Sequence, residues 1–286
     1  MRILITGATG QLGQAMQSAL ASDEIAALGH DELDITDALA VRRALAGARP
    51  EVVVHAAAWT DTAGCERDPE RAMLVNGRGA GIVAEACREA GAAMVYVSSN
   101  EVFDGQKGSP YDEDDATNAV NAYAASKLEG ERQVAAALEA RYIVRTSWLY
   151  GLGRVSFPEK ILQAARRDGK LRAVTDEIAS PTWTVDLAEA ISKLVRTGAY
   201  GVYHFSNAGW CSRLEWAAEI LRLAGMTGVP VEAGTMADFD LPYQKPPFTA
   251  IANNNGARLG ITLRPWQEAL ADHLRGVSAH PTKTSG

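Results

Sequence analysis

This chain of 286 residues predicts an α/β fold with a doubly wound parallel sheet, and three observations carry that prediction. Short β-rich runs alternate with longer amphipathic segments through the first half. The runs are nearly continuously apolar, as strands buried on both faces are. A glycine-spaced turn joins the first run to the first helical segment. Parallel strands need crossover helices, so this alternation implies a sheet covered on both sides.

The first strand, Ile3–Thr6, passes through the glycine turn into a helix over 11–21. Strand Ile25–Leu28 follows, then a helix over 37–47, for which Asp34 or Thr36 is a candidate N-cap. Val52–Ala56, Met94–Ser98 and Ile143–Thr146 are the next strands, separated by helices over 69–90 and 122–139 whose apolar positions recur at three and four. After Trp148 the texture changes. Gly- and Pro-bearing loops (Gly151-Leu152-Gly153, Ser180-Pro181-Thr182, Pro246-Pro247) break up shorter elements. Helices near 184–197 and 213–224 and a strand at 202–206 can return to the main sheet. The expected organisation is therefore a main domain over 1–147 plus about 183–206, and a smaller, discontinuous C-terminal lobe over about 148–182 and 207–275. From about residue 278 to 286 no apolar pattern remains, and a frayed tail is expected.

Composition excludes several classes. The 47% apolar content supplies a core, and 28 basic against 35 acidic residues give a net charge of −7 with no basic run. Nucleic-acid and membrane-surface binding are thus not expected. No stretch approaches the roughly 20 apolar residues of a membrane span, and the N-terminus lacks a signal-peptide core. Three cysteines, Cys65, Cys87 and Cys211, have no CxxC spacing. Neither a disulfide framework nor a zinc site is expected, and a reducing cytoplasm fits.

Gly7-Ala8-Thr9-Gly10-Gln11-Leu12-Gly13 stands between a strand and a helix, which makes it informative. Gly7 permits the tight turn, Gly10 lets backbone approach a pyrophosphate, and Gly13 lets the helix pack on the strand. The helix start at Gln11 and Leu12 offers free N–H groups to phosphates. A dinucleotide site follows, on a Rossmann-type domain. An acid expected at the end of the second strand, to hold a ribose hydroxyl, is replaced by Leu28-Gly29-His30-Asp31. Asp31 comes late and His30 can face a 2′-phosphate, so NADP(H) is favoured and NAD(H) is possible. Tyr123 and Lys127 are neighbours on one helix face. A cation beside a phenol favours proton exchange near neutral pH, so Tyr123 can act as general acid/base. Ser99, ending a strand upstream, can orient a carbonyl.

The chain resembles the dTDP-4-dehydrorhamnose reductase family, within the extended short-chain dehydrogenase/reductases, over nearly its full length. The runs that carry the resemblance are Ile3 to Gly13, Glu32-Leu33-Asp34-Ile35-Thr36-Asp37, Pro50 to Thr60, Val102-Phe103-Asp104-Gly105, Pro110-Tyr111, Tyr123 to Glu131, Arg145-Thr146-Ser147-Trp148, Ser180-Pro181-Thr182, and Gly201 to His204 with Asn207, Gly209 and Ser212. The resemblance implies reduction of the 4-keto group of dTDP-4-dehydro-L-rhamnose to dTDP-L-rhamnose. It implies Ser99, Tyr123 and Lys127 as the catalytic set, with Ser99 where most members carry Thr. It places Asp34 and Ile35 at the adenine, Ala56, Ala57, Ala58 and Thr60 along the cofactor, and Asn100 and Trp148 at the nucleotide-sugar. It also implies a homodimer.

The departures bear on the sugar. Ser98-Ser99-Asn100-Glu101 stands for the usual Ser-Thr-Asp-Tyr, Ala63-Gly64 for Asp-Lys, Glu177 for Gln and Ala179 for Gly, while Glu66 and Asn76 are retained. Ala15 occupies a position where some members carry a metal-binding Glu, so no metal is expected. Arg145 and Lys245 are candidates for the substrate diphosphate. Two alternatives remain: another NAD(P)-dependent nucleotide-sugar reductase, epimerase or dehydratase, and a non-catalytic regulator resembling the methionine adenosyltransferase partner subunit. Retention of Ser99, Tyr123 and Lys127 together favours the reductase.

Overall fold

Six strands form one wholly parallel sheet: β1 (Arg2–Thr6), β2 (Glu24–Leu28), β3 (Val52–His55), β4 (Ala93–Ser99), β5 (Arg141–Thr146) and β6 (Gly201–His204). Their order is β6-β5-β4-β3-β1-β2. The computed structural model describes residues 1–279. Ser278 and Ala279 of the expected tail close the last helix, and the rest of that tail lies outside the described residues.

Because β2 and β3 flank β1 on opposite sides, the chain reverses direction across the sheet at β1 and β3. A crevice at the carboxyl ends of those strands follows from that reversal. One face of the sheet packs Ile3, Ile5, Val54 and Val144 under α1 (Gln11–Ala19) and a later helix. The other packs Leu4, Val53 and Met94 under α2 (Ala38–Ala48), α3 (Gly79–Ala90) and α4 (Ala122–Ala137).

Local chemistry accounts for the helix boundaries. Asp37 caps α2, its carboxylate accepting from Leu39 and Ala40 N–H at 2.8 and 3.1 Å. The cap is thus Asp37, while Asp34 accepts from the Thr36 N–H and hydroxyl in a turn ahead of it. The single helix expected over 69–90 is three pieces: an α turn at Pro69–Ala72, a π turn at Met73–Arg78, and α3. At the centre of the π turn, buried Asn76 bonds through its side chain to Trp59 N–H and C=O and to the Ser126 hydroxyl, and its own carbonyl accepts from Tyr96. These tertiary bonds compensate the widened turn.

After β5 come α5 (Phe157–Asp168), α6 (Thr184–Leu194), α7 (Arg213–Leu223) and α8 (Trp266–Ala279). As the sequence predicts, α6 and β6 return to the main sheet, whereas α7, expected to do the same, packs Trp216, Ile220 and Leu221 into the cores of the other lobe. Three two-stranded ribbons and a separate aromatic core of Tyr150, Trp216 and Trp266 with Leu162 and Leu270 build the remainder. Helix α8 went unread in the sequence, although Trp266, Ala269, Leu270 and Leu274 carry the helical spacing. Among the described residues no helix is long and apolar enough to cross a membrane.

Candidate active site

At the carboxyl ends of β1, β3, β4 and β5 lies a cleft of about 560 Å³. Its wall joins Gly7, Gly10, Gln11, Leu12 and Gly13 to Ala56, Ala58 and Thr60 beyond β3, and both groups to Ser99, Asn100, Tyr123, Lys127 and Trp148. Four other residues expected at the site stand outside this wall. Ala57 is half-buried behind the glycine turn, His30 and Asp34 are exposed past β2, and Ile35 is buried under α3 against Gly79.

The glycine end is made of backbone. Gly7 has φ +69, and a Cβ there would stand 2.6 Å from the Ala57 nitrogen. A Cβ on Gly13 would overlap the Gly7 carbonyl oxygen. Helix α1 begins with no side-chain cap and no acid in its first turn. Its first N–H groups therefore remain available to an anion. The Gln11 side chain is already used: its amide donates to the Gly151 and Arg154 carbonyls at 2.9 and 3.1 Å. What Gln11 can offer a phosphate is its backbone N–H.

The phenol is held by the start of α4. Asn121 caps the helix, accepting from Ala124 N–H at 2.8 Å, and Glu66 accepts from Ala122 N–H at 2.9 Å. Burial raises the pKa of Tyr123, and the nearby Glu101 carboxylate raises it further, with a hydrogen bond from Ser99 opposing both. The phenol is therefore a protonated acid at neutral pH. Lys127, 2% exposed, donates to the Val97 carbonyl at 2.7 Å and lies 4.2 Å above the Tyr96 ring. Burial lowers its pKa to about 7, against the pull of Glu131 one turn along. The spacing suggested an ammonium acting on the phenol; what shifts Tyr123 is burial first, then Glu101, Ser99 and Cys65.

Ser99 ends β4 and caps the short turn Asn100–Val102, accepting from Glu101 N–H at 3.1 Å. Asn100 is buried and donates to the Thr249 hydroxyl and carbonyl at 2.7 and 3.1 Å. An aspartate could make neither donation, which gives the amide at this position a structural reason. Glu101 accepts from Asn121 at 3.2 Å, and burial raises its pKa, with Lys245 and Arg213 opposing and Glu177 reinforcing. Glu177 in turn pairs with Arg213 at 2.8 Å and Lys245 at 3.0 Å, and those cations hold its carboxyl at about 2 despite burial. The Arg213 guanidinium sits 3.5 Å from the Trp148 ring centre, so one face of that indole is covered.

Arg145, a candidate for the diphosphate, is not at the cleft. It forms a buried two-bond pair with Glu131, at 2.9 and 2.7 Å, and Ser98 donates to the same carboxylate. Lys245 is committed to Glu177. Sequence reasoning missed further wall residues, among them Thr146, Ser147, Arg154 and Lys160; the first two sit in the quoted run before Trp148 but carry no spacing signal. It also could not find the Glu177–Arg213 pair, which no local pattern links.

The family model described as RmlD substrate binding domain matches residues 1–278. The chain is 38% identical to a dTDP-4-dehydrorhamnose reductase of Streptomyces griseus, over 95% of this chain and 92% of that protein. It is 37% identical to a probable dTDP-4,6-dihydroxy-2-methyloxan-3-one 4-ketoreductase of Streptomyces antibioticus, over 100% of this chain and 99% of that one. Among solved structures, the dTDP-4-dehydrorhamnose reductase of Bacillus anthracis in complex with NADP superposes with a TM-score of 0.93 at 34% identity, covering 96% of this chain and 99% of that chain.

Proposed function

The chain belongs to the RmlD substrate binding domain family, and from that membership and the cleft we propose that it reduces the 4-keto group of dTDP-4-dehydro-L-rhamnose to dTDP-L-rhamnose with NADPH, NADH being the second choice. The observation that carries the reading is a single cleft joining a bare glycine turn to a protonated phenol with a buried lysine beside it. The chain fits a dinucleotide on its own geometry, since Gly7 and Gly13 leave no room for a Cβ and α1 begins uncapped. When bound, the nicotinamide supplies the hydride.

The protein's own residues do the rest. N–H groups of Gln11, Leu12 and Gly13 hold the pyrophosphate beside Gly7 and Gly10. Ala56, Ala57, Ala58 and Thr60 flank the cofactor, Asp34 and Ile35 the adenine, and His30 faces a 2′-phosphate. Lys127 anchors the nicotinamide ribose while it keeps its proton. Ser99 orients the substrate carbonyl, and Tyr123 gives its proton to the alkoxide that forms at C4; a phenol with a raised pKa is in the correct state to do so. Asn100 and the half-buried Trp148, whose ring already meets Arg213 and Trp216, bound the sugar-nucleotide. In this reading 1–147 with about 183–206 carries the dinucleotide and 148–182 with 207–275 the nucleotide-sugar, in a cytoplasmic homodimer that sedimentation would test.

The deciding experiment mixes the protein with NADPH, or NADH in parallel, and enzymatically prepared dTDP-4-keto-L-rhamnose. Rapid loss of nicotinamide absorbance is expected, with Tyr123→Phe slower by about 10²–10⁴-fold at unchanged dinucleotide affinity. No oxidation despite dinucleotide binding would sink the named substrate.

A further inference from the structure

The cleft carries a charge opposite to that of the chain. Lys127, Arg154 and Lys160 belong to its wall against one acid, Glu101, although the whole sequence has a net charge of −7. Lys127 is buried and donates to the Val97 carbonyl. Arg154 and Lys160 are exposed, and neither side chain pairs with an acid among the described residues. Glu159, beside Lys160 in sequence, is outside the wall; it is taken by His273 at 2.7 Å and by the Ser156 N–H at 2.9 Å. Unpaired cations in a cleft focus their field on an entering anion. The two cations that the sequence offers for a diphosphate, Arg145 and Lys245, are held instead by Glu131 and Glu177. The free cations of the cleft are at 154 and 160.

The fold sets both on the nucleotide-sugar side. Phe157, at the start of α5, stacks on Trp216 at 4.5 Å, and Leu162 joins the same aromatic core, so α5 is part of the second lobe. Lys160 lies one turn into that helix, and Arg154 in the loop that leads to it from Trp148. That loop is held at two points. The Gln11 amide donates to the Gly151 and Arg154 carbonyls, and Gly151 packs so closely on Thr184 that a Cβ would overlap the threonine hydroxyl. The main chain of Arg154 is thus fixed while its guanidinium is uncommitted. The pyrophosphate of a dinucleotide finds its donors in the N–H groups of the glycine turn. A second diphosphate in the same cleft needs donors of its own, and a guanidinium with an ammonium supplies charge-assisted ones.

We propose that Arg154 and Lys160 form the diphosphate subsite of the cleft, binding the nucleoside diphosphate to which the reacting sugar is attached. The proposal rests on the nucleotide-sugar reading of the cleft and names the groups that meet its charge.

The test titrates dTDP, dTMP and NADP⁺ calorimetrically into the full chain and into Arg154→Gln, Lys160→Gln and the double variant. Each single change is expected to weaken dTDP about 5–10-fold, and the double change about 30–100-fold. The loss for dTMP, with one phosphate fewer, is smaller, and NADP⁺ affinity stays within about twofold. Arg154→Lys with Lys160→Arg restores most of the dTDP affinity. Added salt weakens dTDP binding to the parent more than to the double variant. The melting temperature of the double variant is unchanged, since neither side chain is bonded to the fold. Unchanged dTDP affinity in the double variant, or a parent that does not bind dTDP, would overturn the proposal. So would a loss of NADP⁺ affinity as large as that of dTDP, which would give the two cations to the dinucleotide, or a loss of both ligands with a lower melting temperature, which would mark a structural role. A parent that binds dTDP through these residues and yet oxidises no NADPH with the named sugar would support the subsite and sink the reaction alone.

Discussion

Where β1 ends, the cleft is walled largely by backbone, with Gly7, Gly10 and Gly13 close together in sequence. Where β4 ends, it is governed by Glu101 and by the charges around it, Glu177, Arg213 and Lys245, drawn from distant parts of the chain. The first end works by excluding atoms and tolerates almost no addition. The second works by balancing charge and depends on every partner being present. The two cations bind Glu177 tightly, and burial moves Glu101 toward its neutral form. That shift lessens the repulsion an acid at position 101 would exert on an anionic nucleotide-sugar.

The comparison breaks most severely at the glycine end. Gly13→Ala puts a Cβ onto the Gly7 carbonyl and must displace the turn. Dinucleotide affinity should fall roughly 100-fold, the cost of about an ångström of misplacement, while dTDP binding to the folded variant is unchanged. Isothermal titration with both ligands measures this, and equal losses would show that the two ends are not independent.

Lys127 sits between the ends and sharpens the contrast through pH. Its lowered pKa means the ammonium is charged below about 7 and loses its proton as pH rises through that value. Dinucleotide affinity of the parent should therefore decline above pH 7. Lys127→Arg keeps the charge, because guanidinium does not titrate there, and should flatten the profile even if its absolute affinity is lower. Kd measured across the neutral range decides it; parallel profiles would remove Lys127 from the explanation.

The smallest effect is expected at the sugar end. Asn100→Asp turns two donations to Thr249 into a carboxylate facing a carbonyl. Urea unfolding should show a loss of about 1–3 kcal/mol, with NADP⁺ affinity unaffected. Unchanged stability would mean that the Thr249 contact is incidental and that Asn100 serves the ligand instead.

The same division separates what could be read from the chain. Every main-sheet strand was legible within a residue or two, because continuous apolar runs report burial on both faces. Gly7, Gly10 and Gly13 were legible because a turn between strand and helix is a local object. The π turn at Met73–Arg78 was not, since its compensation comes from Trp59, Tyr96 and Ser126, which no helical period registers. Arg145 misled for a related reason: a cation near the substrate motif looks free until Glu131, on another element, is brought against it.

By itself the sequence determined the α/β alternation, the anion-ready helix start and the pairing of Tyr123 with Lys127, because each depends on neighbours along the chain. Only the tertiary structure decided which groups meet and in what charge state. Asn100 found Thr249, Glu177 found Arg213 and Lys245, and burial drew Lys127 down to about 7 and raised the Tyr123 phenol. Desolvation and Coulomb interaction depend on distance in space, which separation along the chain does not record.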